Sequence, residues 1–299
     1  MASGSHDAPV GDALNAAIDA FGAAGIETPR LDAEVLLSEI AGLDRAALIA
    51  DPGAGLRPAQ SRAFSEAVRR RLRREPVAYI LGRKGFRRIE LEVDPRALIP
   101  RPETEHLVEL AVEREPGTLL EIGVGSGAVS LAVAEELPGC RITATDTSPG
   151  ALELAAANAA RLGLADRVEL VEGTLPPGNF ATGIEAVSLP GAGFDLILAN
   201  LPYVADGVAL EPEITEWEPR SAVFSGPTGY EAFESVIGEI AGAPFEVAAI
   251  GLEIGQGQDE RVARLVREAG FTRIGVRRDL AGIGRVVVGL KQGAAGSPD

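Results

Sequence analysis

The sequence of 299 residues contains one cysteine, Cys140, so no disulfide can close within the chain. That fits a reducing compartment, and a cytoplasmic location is expected. Histidine is nearly as scarce: His6 and His106 are too few for a histidine-rich metal site, and no metal is expected. His106 reads as a helix-surface residue and Cys140 as a small core residue. No serine–histidine–acid set can be picked out. Long apolar runs are missing too; none reaches the ~18 residues of a membrane span. Residues 1–6 are small and polar and lack the apolar stretch of a secretory signal. Positive charge is the scarcer sign: 28 Lys and Arg stand against 44 Asp and Glu, a formal net charge of −16. An acidic surface repels a phosphate backbone, so direct sequence-specific nucleic-acid binding is not expected.

Hydrophobic residues make up 46% of the chain, which is enough for a globular core. Residues 10–74 look helical throughout. Leu14, Ile18 and Phe21 are spaced as one helix face. Leu31, Val35, Leu36 and Ile40 repeat that spacing, with Gly42 as a stop. A third helix is expected from Pro58 through Phe64, Val68 and Leu72. It ends in Arg69-Arg70-Arg71-Leu72-Arg73-Arg74, the one strongly basic patch. Two readings stand: a solvated helix end whose cations suit the dipole, or a contact for an acidic or RNA-bearing partner. Dense prolines near residues 95–102, after an alternating stretch from Phe86 to Val93, suggest a hairpin and linker between two domains. A helix over His106–Val112 follows, begun by Thr104 or the proline before it.

From Thr118 onward strand and helix patterns alternate, the signature of a parallel sheet covered on both faces. Strands are expected at 119–122, 141–145, 168–171, 194–199 and 245–254, with helices over 128–137, 149–162 and 260–269. A long loop rich in proline and glycine is expected over 173–193. The runs 272–276 and 286–290 are joined by a short glycine-containing loop and should pair antiparallel.

Glu121-Ile122-Gly123-Val124-Gly125-Ser126-Gly127 lies between the first of these strands and the next helix. Glycines there let the chain turn sharply and let a ligand approach the helix N-terminus. A tight turn without ligand is the plainer reading. Asp146 ends the second strand about twenty residues after the glycines, the spacing at which an acid takes ribose hydroxyls in such folds. It could instead cap the next helix, although Ser148 before Pro149 is the better cap. Turn plus acid point to an adenosine-containing cofactor without separating NAD from S-adenosylmethionine.

The separation comes from Asn200-Leu201-Pro202-Tyr203, where an apolar strand stops at an amide and a proline. Hydride transfer needs no such corner, but methyl transfer to a planar nitrogen does. Its delocalised lone pair makes such a nitrogen a poor nucleophile. The Asn200 side-chain oxygen and the Leu201 carbonyl would accept its two hydrogens and orient it. Tyr203 offers a flat face for the planar group. Beyond the corner, Trp217, Glu218 and Arg220 read equally as lid, pocket wall or plain packing.

From residue 75 on, the chain resembles the HemK-type glutamine methyltransferases of peptide chain release factors. The resemblance is carried by Glu75-Pro76-Val77-Ala78-Tyr79, by Leu98-Ile99-Pro100-Arg101-Pro102-Glu103-Thr104-Glu105, by the glycine turn and by the corner. It continues in Glu218-Pro219-Arg220, Leu252-Glu253-Ile254-Gly255 with Gln258, and Asp279-Leu280-Ala281-Gly282 with Arg285-Val286-Val287. It implies a class I S-adenosylmethionine-dependent methyltransferase: an α/β, Rossmann-like, mostly parallel seven-stranded sheet whose last strand is antiparallel. Ahead of it are expected a helical bundle for partner recognition over residues 1–82 and a hairpin linker over 83–100. The methyltransferase domain is expected over 101–292 and a disordered tail over 293–299. S-adenosylmethionine would lie over Gly123, Gly125 and Gly127 with Asp146 on its ribose; Glu121, Val124, Ser126 and Asn200 complete the candidate cofactor residues. A release factor's Gly-Gly-Gln glutamine would enter against Asn200, Leu201, Pro202 and Tyr203, the candidate substrate-binding and catalytic set. Alternatives are methylation of another planar nitrogen, in a ribosomal protein or an adenine, and a non-catalytic adenosine-binding module.

Two positions depart from the family pattern. The family usually has Asn-Pro-Pro-Tyr, and here Leu201 replaces the first proline. The acceptor carbonyl survives, but ring rigidity is lost and Leu201 keeps an N–H, so weaker preorganisation with intact chemistry is expected. Leu175 stands where some relatives have an aromatic near the adenine.

Overall fold

A computed structural model describes residues 8–175 and 193–294. The expected 173–193 loop therefore lies outside the described residues except at Gly173–Leu175 and Gly193, as does the tail after Ala294. The chain divides into two compact units: residues up to Arg83 together with Glu211–Trp217, and Lys84–Leu210 together with the residues from Glu218 on.

The first unit is helical. Its short strands β1 (Ala8–Pro9) and β2 (Gly55–Leu56) pair antiparallel beside α1 (Val10–Ala23), α2 (Pro29–Ala41), α3 (Arg45–Ala50), α4 (Pro58–Leu72) and α5 (Val77–Leu81). α2 begins with proline at its first position, where a missing N–H costs nothing, and ends at Gly42 with φ +67°. Leu14, Phe21, Leu36, Leu37, Leu48 and Phe64 form the core. Two expected core positions face outward instead: Leu31 is 45% exposed and Leu72 39%.

The positions that turn inward on those helices include charged ones. Asp32, Glu34 and Arg71 are all buried. Arg71 Nε lies 2.7 Å from Asp32 Oδ2, and its Nη2 lies 2.7 Å from Glu213 Oε1. Arg74 pairs with Glu211 and Glu213, Arg70 with Glu75 and Arg69 with Glu66. Four of the five arginines in the basic run are thus engaged by acids of their own unit, and Arg71 is not at the surface. Trp217 belongs here as well, donating from Nε1 to the Arg73 carbonyl at 3.2 Å.

The second unit opens at Lys84, within a hairpin of β3 (Arg83–Phe86) and β4 (Ile89–Glu92). A 3₁₀ turn, Pro102–Thr104, leads into α6 (Glu105–Arg114). Then come β5 (Thr118–Ile122), α7 (Ala128–Glu136), β6 (Arg141–Asp146), α8 (Pro149–Leu162), β7 (Val168–Glu172) and β8 (Gly193–Ala199). Two helical turns, α9 (Pro212–Thr215, part of the first unit) and α10 (Arg220–Val223), precede α11 (Glu231–Ala241). β9 (Glu246–Glu253), α12 (Asp259–Glu268), β10 (Arg273–Arg278) and β11 (Gly284–Leu290) complete the chain. No element is expected from the sequence between residues 204 and 244, yet α11 buries Phe233, Val236, Ile237 and Ile240 against the sheet.

The seven strands lie in the order β10-β11-β9-β8-β5-β6-β7. All neighbouring pairs from β9 to β7 are parallel, and β11 alone runs antiparallel to both of its neighbours. Strand order reverses at β5, whose neighbours are β6 and β8. In open α/β sheets the crevice at the carboxyl ends of such strands binds ligands. Every residue of β5 is buried, as a strand covered on both faces must be. Among the described residues no helix is long and apolar enough to cross a membrane.

Candidate active site

The reversal brings the ends of β5, β6 and β8 together. They open onto a cavity of about 340 Å³. The turn after β5 contributes Glu121, Gly123, Val124, Gly125 and Ser126; the end of β6 contributes Asp146; the end of β8 contributes Asn200, Leu201 and Pro202. Residues far apart in sequence thus share one space because parallel strands deliver their carboxyl ends to the same edge.

The glycine turn is held from both sides. Gly123 and Val124 donate their N–H groups to the Thr145 carbonyl at 2.8 and 2.9 Å. Gly125 has φ +54° and Gly127 φ +88°, conformations that side-chain-bearing residues adopt at a cost. A Cβ on Gly127 would stand 2.8 Å from Leu131 Cδ1. Gly127 is therefore needed to pack the start of α7 and is not among the residues lining the cavity. The fully buried Asn158 of α8 donates to the Ser126 carbonyl at 3.0 Å and brackets Glu92 of β4. That brace has no local sequence signal, since its partners lie 32 and 66 residues away.

Glu121 lines the cavity, but its carboxylate is spent on α7. Its Oε2 accepts from the Ser130 N–H at 2.9 Å and from the Ser130 hydroxyl. Burial pushes its pKa up to about 8, against the lowering effect of Ser130. Asp146 is arranged differently. Its Oδ2 accepts from Gly125 N–H at 3.0 Å and its Oδ1 from Ser148 N–H at 2.9 Å. Each carboxylate oxygen keeps acceptor capacity for a ligand hydroxyl. Ser148 caps α8, accepting from Ala151 N–H at 3.3 Å.

At the corner, Asn200 Nδ2 donates to Thr104 Oγ1 at 3.0 Å, leaving the amide oxygen outside that bond. Thr104 is 96 residues away, and no local pattern could have revealed it. The Leu201 side chain is buried and joins the core cluster with Leu252, Ile254 and Phe233. Apolar anchoring thus holds this position where a proline ring would have stiffened it. Tyr203 does not line the cavity; it is partly buried beside the core, and burial raises its pKa to about 12. Gln258 clamps it, donating from Nε2 to the Tyr203 carbonyl at 3.1 Å and to the Gly229 carbonyl at 3.2 Å while accepting from Gly255 N–H. Leu175 likewise packs against the core cluster, whereas Gly173 and Thr174 line the cavity.

One rim is built by Leu98, Pro100 and Arg101. Buried Glu218 staples it, pairing with Arg101 and accepting from Ile99 N–H at 3.0 Å. Of the three residues left open between lid and packing, Glu218 supports the wall. Arg220 is exposed, pairing with Asp206 and lying over the Phe224 ring at 4.4 Å. His106 pairs with Glu109 at 3.0 Å on the surface of α6. Cys140 is buried, which raises its thiol pKa to about 11. Among the described residues no group of three His, Cys, Asp or Glu side chains is placed to hold a metal ion.

Known proteins resemble this chain in both sequence and fold. The PrmC N-terminal domain family matches residues 12–82, and a methyltransferase domain family matches residues 120–204. The release factor glutamine methyltransferase of Caulobacter vibrioides is 38% identical over 285 residues, covering 93% of this chain and 95% of that protein. That of Geobacter sulfurreducens is 39% identical, covering 89% and 90%. In fold, the catalytic domain of hMettl16 in complex with an MAT2A 3′UTR hairpin superposes with a TM-score of 0.54 at 13% identity, covering 80% of this chain and 83% of that one.

Proposed function

The chain belongs to the release factor glutamine methyltransferases, and on that premise we propose how its residues divide the reaction. The enzyme methylates the side-chain amide nitrogen of the glutamine in the Gly-Gly-Gln motif of peptide chain release factors, using S-adenosylmethionine. A translation-factor substrate and a single cysteine support a cytoplasmic location.

The observation that supports the residue roles most is that one cavity is lined both by the glycine turn with Asp146 and by the Asn200–Pro202 corner. The residues fit the cofactor: a sharp turn free of side chains at Gly123 and Gly125, a carboxylate with spare lone pairs at Asp146, and apolar walls from Val124, Val129 and Ala151. S-adenosylmethionine, when bound, would supply a methyl group on a positively charged sulfur, the S–CH3 bond breaking as the N–CH3 bond forms so that a neutral thioether leaves. Asp146 would hold the ribose hydroxyls, and the backbone from Gly123 to Ser126 would hold the remainder of the cofactor.

The chain's own contribution to the chemistry is orientation. The glutamine nitrogen is planar and weakly nucleophilic. Asn200 Oδ1 and the Leu201 carbonyl accept its two hydrogens and turn its lone pair toward the glycine-turn side of the cavity. As the nitrogen becomes pyramidal and positive, both acceptors interact with it more strongly, which is where they lower the barrier. The methylated nitrogen then sheds one of those hydrogens as a proton to solvent. The helical unit of residues 8–83 is assigned to holding the release factor.

The test is incubation with methyl-labelled cofactor and release factor. Label should enter the wild-type factor and be absent from one whose Gly-Gly-Gln glutamine is alanine. Equal labelling of both would reject the substrate assignment.

A further inference from the structure

One buried acid near the corner has no part in the scheme above. Glu253, the last residue of β9, is 1% exposed, and its Oε2 is buried without a hydrogen-bond partner among the described residues. Among its neighbours the Thr104 hydroxyl favours the ionised form of this carboxyl. Thr104 is itself 4% exposed and accepts from Asn200 Nδ2 at 3.0 Å. Two buried polar groups and the half-buried Asn200 thus run in series from the sheet floor to the cavity.

The hydrogen count of this series decides which end of Asn200 meets the substrate. A threonine hydroxyl has one hydrogen to give. An ionised carboxylate only accepts, so it claims that hydrogen. Thr104 can then only accept from Asn200, which must present its NH₂ to Thr104 and its oxygen to the cavity. If Glu253 carried a proton or were an amide, it could itself donate to Thr104. The hydroxyl hydrogen would be free to point at Asn200, and the flipped amide, with NH₂ toward the substrate, would become available. A donor there repels an amide N–H. Resting on the proposed reaction, we propose that Glu253 is a positioning residue that acts through Thr104 to keep the Asn200 oxygen facing the substrate nitrogen.

The same count makes the lock dependent on the charge of Glu253. Burial raises its pKa to about 7. The charged and titratable groups around it are Glu103 and Arg101 from the segment leading into α6, Arg285 from β11 and Tyr203 from the corner; Glu103 opposes ionisation and the two arginines favour it. Below that pH the lock is open and turnover falls. Above it the lock is closed.

The experiment is steady-state methylation of release factor by wild type, Thr104→Val, Thr104→Ser, Glu253→Gln and the Thr104→Val/Glu253→Gln double variant, each checked for folding by circular dichroism. Thr104→Val has nearly the threonine shape without the hydroxyl and should lower kcat by about tenfold, the effect of one oriented hydrogen bond. The KM for S-adenosylmethionine should stay within about twofold. Thr104→Ser should restore turnover. Glu253→Gln should lower kcat similarly and lose the acid limb near neutrality. The double variant should be no worse than Thr104→Val, because both changes break one series. Losses that multiply in the double variant, or an acid limb that persists in Glu253→Gln, would overturn the proposal. If Glu253→Gln fails to fold, the valine–serine pair decides alone: equal activity of the two refutes it. An inactive wild type would instead count against the proposed reaction.

Discussion

Replacing Asn200 by alanine separates binding from chemistry. In the proposed scheme the substitution removes one of the two acceptors for the substrate nitrogen and leaves the glycine turn, Asp146 and the Leu201 carbonyl in place. It also removes the 3.0 Å bond to Thr104, a loss of about 1 kcal/mol of stability for one side-chain hydrogen bond. The larger effect falls on the reaction. Removing one preorganised group of this type costs roughly 10²–10³ in kcat, about 2.7–4 kcal/mol. The higher end is expected here, because the proposed scheme has Asn200 orient the nitrogen as well as stabilise its charge. Cofactor affinity should change by no more than about threefold, since its main contacts are elsewhere. Single-turnover methylation reads the first quantity and titration calorimetry with S-adenosylmethionine the second. A kcat within tenfold of wild type would refute the role given to Asn200. So would a cofactor Kd that rises in proportion to the lost rate.

Asp146→Ala should weaken S-adenosylmethionine by about 1.5–3 kcal/mol, the range for loss of a hydrogen bond to a charged group, while kcat at saturating cofactor falls much less; calorimetry and saturation kinetics check both. Arg71→Ala leaves Asp32 and Glu213, whose side chains are 10% and 17% exposed, without their shared cation. A loss of about 3–5 kcal/mol in urea unfolding is expected, and a loss under about 1 kcal/mol would show the pair to be dispensable. Glu121 has a folded-state pKa raised to about 8 from 4.5, so the folded state holds its proton more tightly than the unfolded state. Its contribution to stability is full below the unfolded value and is lost as pH rises toward about 8; thermal melts of Glu121→Gln should show a shallower decline across that window.

The sheet was legible because its signal is local: short apolar strands alternate with helical repeats, and strand ends are marked by glycine, aspartate or asparagine. β5, β6 and β8 and the turn after β5 follow from that alone. The helical unit was less legible. Apolar spacing points to Leu31 and Leu72 as core, but the buried positions nearby are Asp32 and Arg71, joined across 39 residues. A pattern that counts only apolar residues cannot see a charge buried against its partner. The basic run fails for the same reason, since Arg74 finds Glu213 at a separation of 139 residues. At the site, Asn200 stood out by sequence, whereas Thr104, Gln258 and Asn158 each act through a contact to Asn200, Tyr203 or Glu92 that lies 96, 55 or 66 residues away. Helix α11 was missed although amphipathic, because it follows a stretch of turns too short and varied to give a period.

The most direct measurement is tandem mass spectrometry of a release-factor peptide after incubation with enzyme and S-adenosylmethionine. A single methyl on the side-chain nitrogen of the Gly-Gly-Gln glutamine is predicted, formed by wild type and nearly absent with Asn200→Ala. Methylation of a different residue, or equal modification by both enzymes, would contradict the account.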